Sequence, residues 1–245
     1  MDWCDDYGFS KTPSGRIRYG RRHGDGKKLV LVHGLAATMG SWHKLAERLP
    51  KGIDIYAIDL PGHGGSDAPR EFTVSAQASI LSAFIGKHVG GSFYLMGHSY
   101  GGWVSAYFAS FPSLSPGLEG LILEDPSGLY SHLGEMDDGA KGEYISGLSS
   151  VLKGKRTGAA IRVVKRFLLE GFNGGHLTGE LLARIAARTL ILWGREDGRI
   201  PVAHAHEFRR GIPDSTLSIV DGARHTPHYT HPGIVARRVS SFMKG

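Results

Sequence analysis

Residues Gly97-His98-Ser99-Tyr100-Gly101 set one serine between two glycines, a spacing with chemical meaning. A serine that only caps a helix needs no glycine two residues to either side. A serine forced into a tight strand-to-helix turn needs both, because neighbouring chain crowds the turn. The pattern G-x-S-x-G marks such a turn, with the hydroxyl lifted above a sheet. FYLM at 93–96 reads as the entering strand and WVSAYFASF at 103–111 as the leaving helix. That serine can attack a carbonyl if a base takes its proton, an acid orients the base, and N–H donors receive the oxyanion.

The rest of the chain offers candidates for each part. Upstream, His33-Gly34 ends a strand, and the turn there can aim the Leu35 N–H at the space above Ser99. Together with the Tyr100 N–H it would form a two-donor oxyanion hole. Downstream, LILWGREDGRIP carries Asp197 on a loop just past a strand-ending glycine, with Glu196 and Asp125 (in LILEDP) as the competing acids. LSIVDGARHTPHYTHP then carries His225 between the last strand and the final helix. The order Ser99, Asp197, His225 is the serine–acid–histidine order of this elbow. His225, His228 and His231 also raise a metal reading. Pro227 and Pro232 break any helix that would align them, and HAHEF at 204–208 is not HExxH, so no metal and no cofactor are expected. The His98 and Tyr100 side chains read as packing or substrate-wall residues.

Parallel strands joined by helices would position these groups. The strand expectations are Arg16–Tyr19, Leu29–His33, Asp54–Ile58, Phe93–Gly97, Leu118–Glu124, Thr189–Gly194 and Ser215–Val220. Helices are expected over Ser41–Leu49, Thr73–His88, Ser99–Phe111, Val202–Arg210 and Gly233–Met243. LVLV at 29–32 and LIL at 121–123 and 190–192 are continuous apolar runs, as strands covered on both faces require. The pattern breaks over 126–187, which reads as a helical cap insert over the strands' carboxyl ends, where open α/β sheets bind ligands. The core domain is then 1–125 and 188–245. Leu129, Leu148, Phe167 and Phe172 are candidate walls of an acyl pocket, alongside His33, and they are equally candidates for the insert's own small core. Gly171–Gly175 reads as a loop or hinge.

Composition bounds the function classes. With 245 residues and 41% hydrophobic content, the chain can bury a large core. The formal charge of +6 is spread over short runs such as Arg21-Arg22, Lys153–Arg156 and Arg237-Arg238. No nucleic-acid module accompanies them, so no nucleic-acid partner is expected. No stretch reaches the length of a membrane span. The single cysteine, Cys4, can form no internal disulfide, and MDWCDDYGF lacks the basic and apolar regions of a secretory signal. A cytoplasmic location is the expectation.

Four blocks resemble the α/β-hydrolase superfamily: VHGLAATMGSW at 32–42, IDLPGHGGSD at 58–67, LMGHSYGG at 95–102, and ILWGREDGRIP followed by DGARHTP. The resemblance implies an eight-stranded, mostly parallel sheet with an antiparallel second strand and a cap between the sixth and seventh strands. It implies Ser99 as nucleophile, His225 as base and Asp197 as its orienter. A serine at position 99 departs from the aspartate of epoxide hydrolases and haloalkane dehalogenases. His98 departs from the asparagine common in carbon–carbon bond hydrolases, and HGLAA from the HGGPG of proline iminopeptidases. Thr230 and Arg188 stand where the family often has glutamate and proline. What the resemblance leaves is a carboxylesterase or lipase-like enzyme acting on a small-molecule ester with a short to medium acyl chain. The rivals are a thioesterase or methyl esterase on carrier-linked acyl groups, and a ligand-binding protein on a retained hydrolase scaffold.

Overall fold

The computed structural model describes residues 3–12, 15–129, 162–164, 166–167 and 174–245. Eight strands form one sheet: β1 (Asp6–Thr12), β2 (Gly15–Arg22), β3 (Lys28–Val32), β4 (Asp54–Ile58), β5 (Phe93–His98), β6 (Leu118–Glu124), β7 (Arg188–Gly194) and β8 (Ser215–Val220). Their order is β1-β2-β4-β3-β5-β6-β7-β8. β2 runs antiparallel to both β1 and β4, and every other pairing is parallel. The sheet has the expected architecture, with one strand more than the residue pattern disclosed. β1, DYGFSKT, lies at the sheet's edge with mostly exposed residues, so it carries no apolar run to betray it.

The continuous apolar runs split residue by residue between two cores. Val30, Val32, Ile58, Leu95, Leu121, Leu123 and Ile191 face one side, where α2 (Val74–His88), α3 (Tyr100–Ala109) and α5 (Ala203–Gly211) cover them. Leu29, Leu31, Ile55, Ala57, Met96, Ile122 and Leu192 face the other, under α1 (His43–Arg48) and α7 (Pro232–Lys244). A strand covered on both faces must be apolar at every position. The helices begin where local chemistry favours it. The Thr73 hydroxyl accepts from the Ala76 N–H at the start of α2, and Pro232 opens α7.

Within the expected insert, described chain reappears at 162–164 and 166–167. Leu129 and Leu177 form an isolated parallel bridge, and α4 (Gly179–Ala183) leads back to β7. Leu148, Phe172 and the Lys153–Arg156 run lie outside the described residues.

The crossing of α3 over β3 is tight enough to test. A Cβ on Gly101 would meet the Val32 and His33 carbonyl oxygens at 2.3 and 2.4 Å. Gly86, exposed inside α2, has nothing within 4 Å of that position. Gly101→Ala should therefore lose about 1–3 kcal/mol through overpacking. Gly86→Ala should gain about 0.5–1 kcal/mol from helix propensity. Urea unfolding of both variants checks the opposite signs.

Candidate active site

Ser99 is the residue on which β5 ends and α3 begins, and its backbone is unusual. It has φ 53° and ψ −116°, in a region that side chains with a Cβ avoid. The flanking glycines allow the turn. A Cβ on Gly97 would lie 2.4 Å from both the Gly101 carbonyl oxygen and the Ser105 hydroxyl. The strained residue is held from the next strand. The Ser99 N–H donates to the Glu124 carbonyl (3.0 Å), and the Ser99 carbonyl accepts from Ser127 N–H (3.1 Å) and Trp103 N–H (3.0 Å).

Two further loops bring polar groups to this turn. Ser99 Oγ lies 2.9 Å from His225 Nε2, and His225 Nδ1 lies 2.7 Å from Asp197 Oδ2. A carboxylate can only accept, so Nδ1 carries the ring proton and Nε2 is free to accept from the serine hydroxyl. The other Asp197 oxygen accepts from the Arg199 N–H at 2.8 Å and the Ile200 N–H at 3.1 Å. The structure therefore joins Ser99, His225 and Asp197 in one hydrogen-bonded line. Glu196 is turned elsewhere, accepting from Gly222 N–H at 3.2 Å. Asp125, the other competing acid, is fully buried and accepts from Gly194 N–H at 2.8 Å.

The oxyanion candidates come from two segments, the start of α3 and the loop after β3. Tyr100 opens α3, so its N–H is one of those that a helix cannot satisfy internally. The β3 loop passes closely over Ser99: a Cβ on Gly34 would lie 3.3 Å from Ser99 Cβ. Leu35 follows on that loop, and the next residue, Ala36, takes φ 56°. His33 was expected among the substrate-binding residues, but it is fully buried with an internal task. Its Nε2 accepts from Leu60 N–H at 3.0 Å, so its Nδ1 donates to the Gly34 carbonyl at 2.7 Å. Asp59, just after β4, braces the end of the same loop by accepting from Met39 N–H (2.7 Å), while its other oxygen accepts from Gly65 N–H (2.9 Å) in its own loop. Its work was missed in the sequence, although Asp59 stands inside the quoted IDLPGHGGSD block.

Phe167 reaches over the elbow, with its ring edge-on to Tyr100 at 5.3 Å and to Trp103 at 6.3 Å. Leu129 is buried in the same core. Tyr100 also stacks parallel to Phe72 at 6.1 Å, and His63 lies 6.0 Å from Phe72. The Tyr100 side chain is thus packed within a buried aromatic cluster.

Behind His225 runs a second polar network. His98 Nε2 must donate to the His225 carbonyl, 2.6 Å away, which tethers the loop. The His228 backbone N–H (2.7 Å) and Nδ1 both bond the Glu124 carboxylate, anchoring α6 (Pro227–Thr230) to the end of β6. Glu124 was the acid the sequence reading passed over, and its signal was an ionisable residue ending an apolar strand. Burial, then the neighbouring His228 and His225, pushes His98 well below the ordinary imidazole range, so it stays neutral. Two buried trios have the residue types of a metal site, His98–Asp125–His225 and His98–Glu124–His228. Both His225 nitrogens and His228 Nδ1 are already engaged with Ser99, Asp197 and Glu124, which leaves neither trio an open ligand set.

A family model described as the alpha/beta hydrolase family matches residues 29–238. The chain belongs to the alpha/beta hydrolase family. An uncharacterized protein of Mycobacterium tuberculosis is 28% identical over 95% of this chain and 80% of its own length. A pimeloyl-[acyl-carrier protein] methyl ester esterase of Neisseria meningitidis serogroup B is 26% identical over 89% of this chain and 93% of its own. In structure, the hydrolase fold superposes on a serine hydrolase involved in carbazole degradation with TM-score 0.81, 22% identity and 98% coverage of each chain. Among the described residues, no helix of this hydrolase is long and apolar enough to cross a membrane.

The buried histidines of this alpha/beta hydrolase imply an acid sensitivity. Burial, with the neighbouring His33, pushes His63 from 6.5 down to about 3. Between those values the unfolded chain binds a proton that the folded chain refuses, so stability falls as pH is lowered through this window. His63→Asn should remove one proton from that slope, about 1.4 kcal/mol per pH unit. Urea unfolding at a series of pH values across the window checks the change.

Proposed function

We propose that this hydrolase cleaves carboxylic esters of short to medium acyl chains through an acyl-enzyme on Ser99. The observation that carries the reading is the hydrogen-bonded line from Ser99 Oγ through His225 to Asp197, at 2.9 and 2.7 Å. His225 takes the Ser99 proton as Oγ attacks the ester carbonyl. The oxyanion forms against the Leu35 and Tyr100 N–H groups. His225 then gives the proton to the leaving alcohol, and a water repeats the sequence on the acyl-enzyme. Asp197 keeps Nδ1 protonated and supports the imidazolium while it exists. The chemistry needs no metal or cofactor, and Phe167, against Tyr100, is a wall of the acyl side.

Hydrolysis of p-nitrophenyl esters of increasing acyl length tests this directly. The parent should show a length optimum, and Ser99→Ala should lose roughly a million-fold in turnover. His225→Ala should cost about as much, and the double variant little more, because the two act as a unit. Slow turnover unchanged by Ser99→Ala would sink the mechanism.

The Neisseria relative, named for an acyl-carrier-protein methyl ester, favours a second reading in which the acyl group arrives on a carrier. Lys153, Lys155 and Arg156 would then attract an acidic carrier. Charge reversal at these three should lower kcat/KM for a carrier-linked methyl ester by at least about ten-fold, leaving small esters unaffected. Equal effects on both substrates would remove the carrier from the reading.

A further inference from the structure

Asp125 is the buried ionisable group that the proposed mechanism leaves without work. It follows β6 at φ 43°, with its N–H bonded to the Leu192 carbonyl at 3.0 Å. Its Oδ1 accepts from Gly194 N–H at 2.8 Å. Its Oδ2 is sealed from solvent and has no hydrogen-bond partner. One of its carboxyl oxygens lies within 4.8 Å of a ring nitrogen of His225 and of His98. The Asp197 side chain beside it is also fully buried, and carries three donors on its two oxygens. Two carboxyl groups therefore share one dry site, and only one of them is supplied with the donors that a carboxylate requires.

We propose that Asp125 is a neutral carboxylic acid that donates a hydrogen bond to the Asp197 carboxylate. It is thereby a positioning residue for the group that orients His225. The proposal rests on the Ser99–His225–Asp197 reading above. Ionised, Asp125 would leave a buried acceptor with no donor and set a second negative charge against Asp197. Protonated, the orphan oxygen becomes a donor, and Asp197 is an acceptor at its side.

The surrounding charges act in the same direction. Burial first, then the negative charges of Glu124 and Asp197, holds Asp125 well above the ordinary carboxyl range. Gly194 N–H pulls the other way and is outweighed. The remaining titratable neighbours are His98 on β5, which is held neutral, and His225 and His228 from the chain after β8. His228 is committed to Glu124, and Arg199 from the loop after β7 is exposed to solvent. His225 is itself committed to Asp197, so among the described residues none of these groups is free to compensate a second carboxylate at this point. The hydrogen bond fixes the plane of Asp197 and so the tilt of the His225 ring.

Asp125→Asn is the informative variant. An amide can accept from Gly194 N–H through its oxygen and donate to Asp197 through its nitrogen, so both bonds survive. Asp125→Leu keeps the bulk and loses the donor. Asp125→Asn should keep kcat within about threefold of the parent with an unmoved acid limb of kcat/KM, and Asp125→Leu should lose about a hundred-fold. The infrared difference spectrum, parent minus Asp125→Asn at neutral pH, should carry the C=O stretch of a protonated carboxyl group. Absence of that band overturns the proposal. So does an acid limb that moves to lower pH in Asp125→Asn, the signature of a lost carboxylate. The infrared band needs neither turnover nor the leucine variant. It therefore decides the protonation of Asp125 even if Ser99→Ala leaves hydrolysis intact and the serine mechanism falls.

Discussion

The site depends on one backbone constraint, the positive φ of Ser99. A residue with a Cβ in that region costs about 1–3 kcal/mol, and it persists only where surrounding bonds over-determine it. Here the end of β6 supplies them. Glu124 accepts the Ser99 N–H, and Ser127 donates to the Ser99 carbonyl, so the elbow is fastened to the next strand on both sides of the serine. Gly97 and Gly101 then let β5, α3 and β3 close around it at distances where no Cβ fits.

The same device repeats across the sheet. The end of β6 is itself fastened to β7, through Asp125 N–H to Leu192 and Gly194 N–H to the Asp125 side chain. The loop after β7 is fastened to the chain after β8, with Arg195 N–H on Val220 and Glu196 N–H on Ala223. Each parallel strand thus braces the loop of its neighbour, and the serine, the acid and the histidine follow β5, β7 and β8, with the end of β6 linking the first two in that chain of supports. Parallel pairing puts all the carboxyl ends on one edge, which is why residues so distant in sequence can share a hydrogen-bonded line.

Burial sets the electrostatics of this edge. Imidazoles that are sealed from water without a carboxylate, such as His63 and His98, stay neutral and serve as directional hydrogen-bonding groups. Those bonded to a carboxylate, His225 and His228, hold their loop from two sides: one toward Asp197 and the serine, the other toward Glu124. His98 links the two by its bond to the His225 carbonyl. The low dielectric that strengthens these bonds also penalises any unpaired charge, so a buried ionised group here needs donors or a counter-charge.

The sequence by itself disclosed the alternation of strands and helices, seven of the eight strands, and the spacing that singles out Ser99, Asp197 and His225. These were legible because periodicity, glycine punctuation and chain order are local or one-dimensional properties. It did not disclose β1, whose exposed edge position needs no apolar pattern. Nor did it disclose that His33 braces the loop after β3 from inside the core. Asp125 and Asp197 both follow apolar strands near glycine or proline, and chain order put Asp197 first as partner of His225, with Asp125 left as a competing acid. The tertiary structure shows the physical difference between them, three donors on Asp197, one of them His225, and a single one on Asp125. Hydrogen bonding between loops is decided by which strands lie side by side, and that order is a property of the folded sheet.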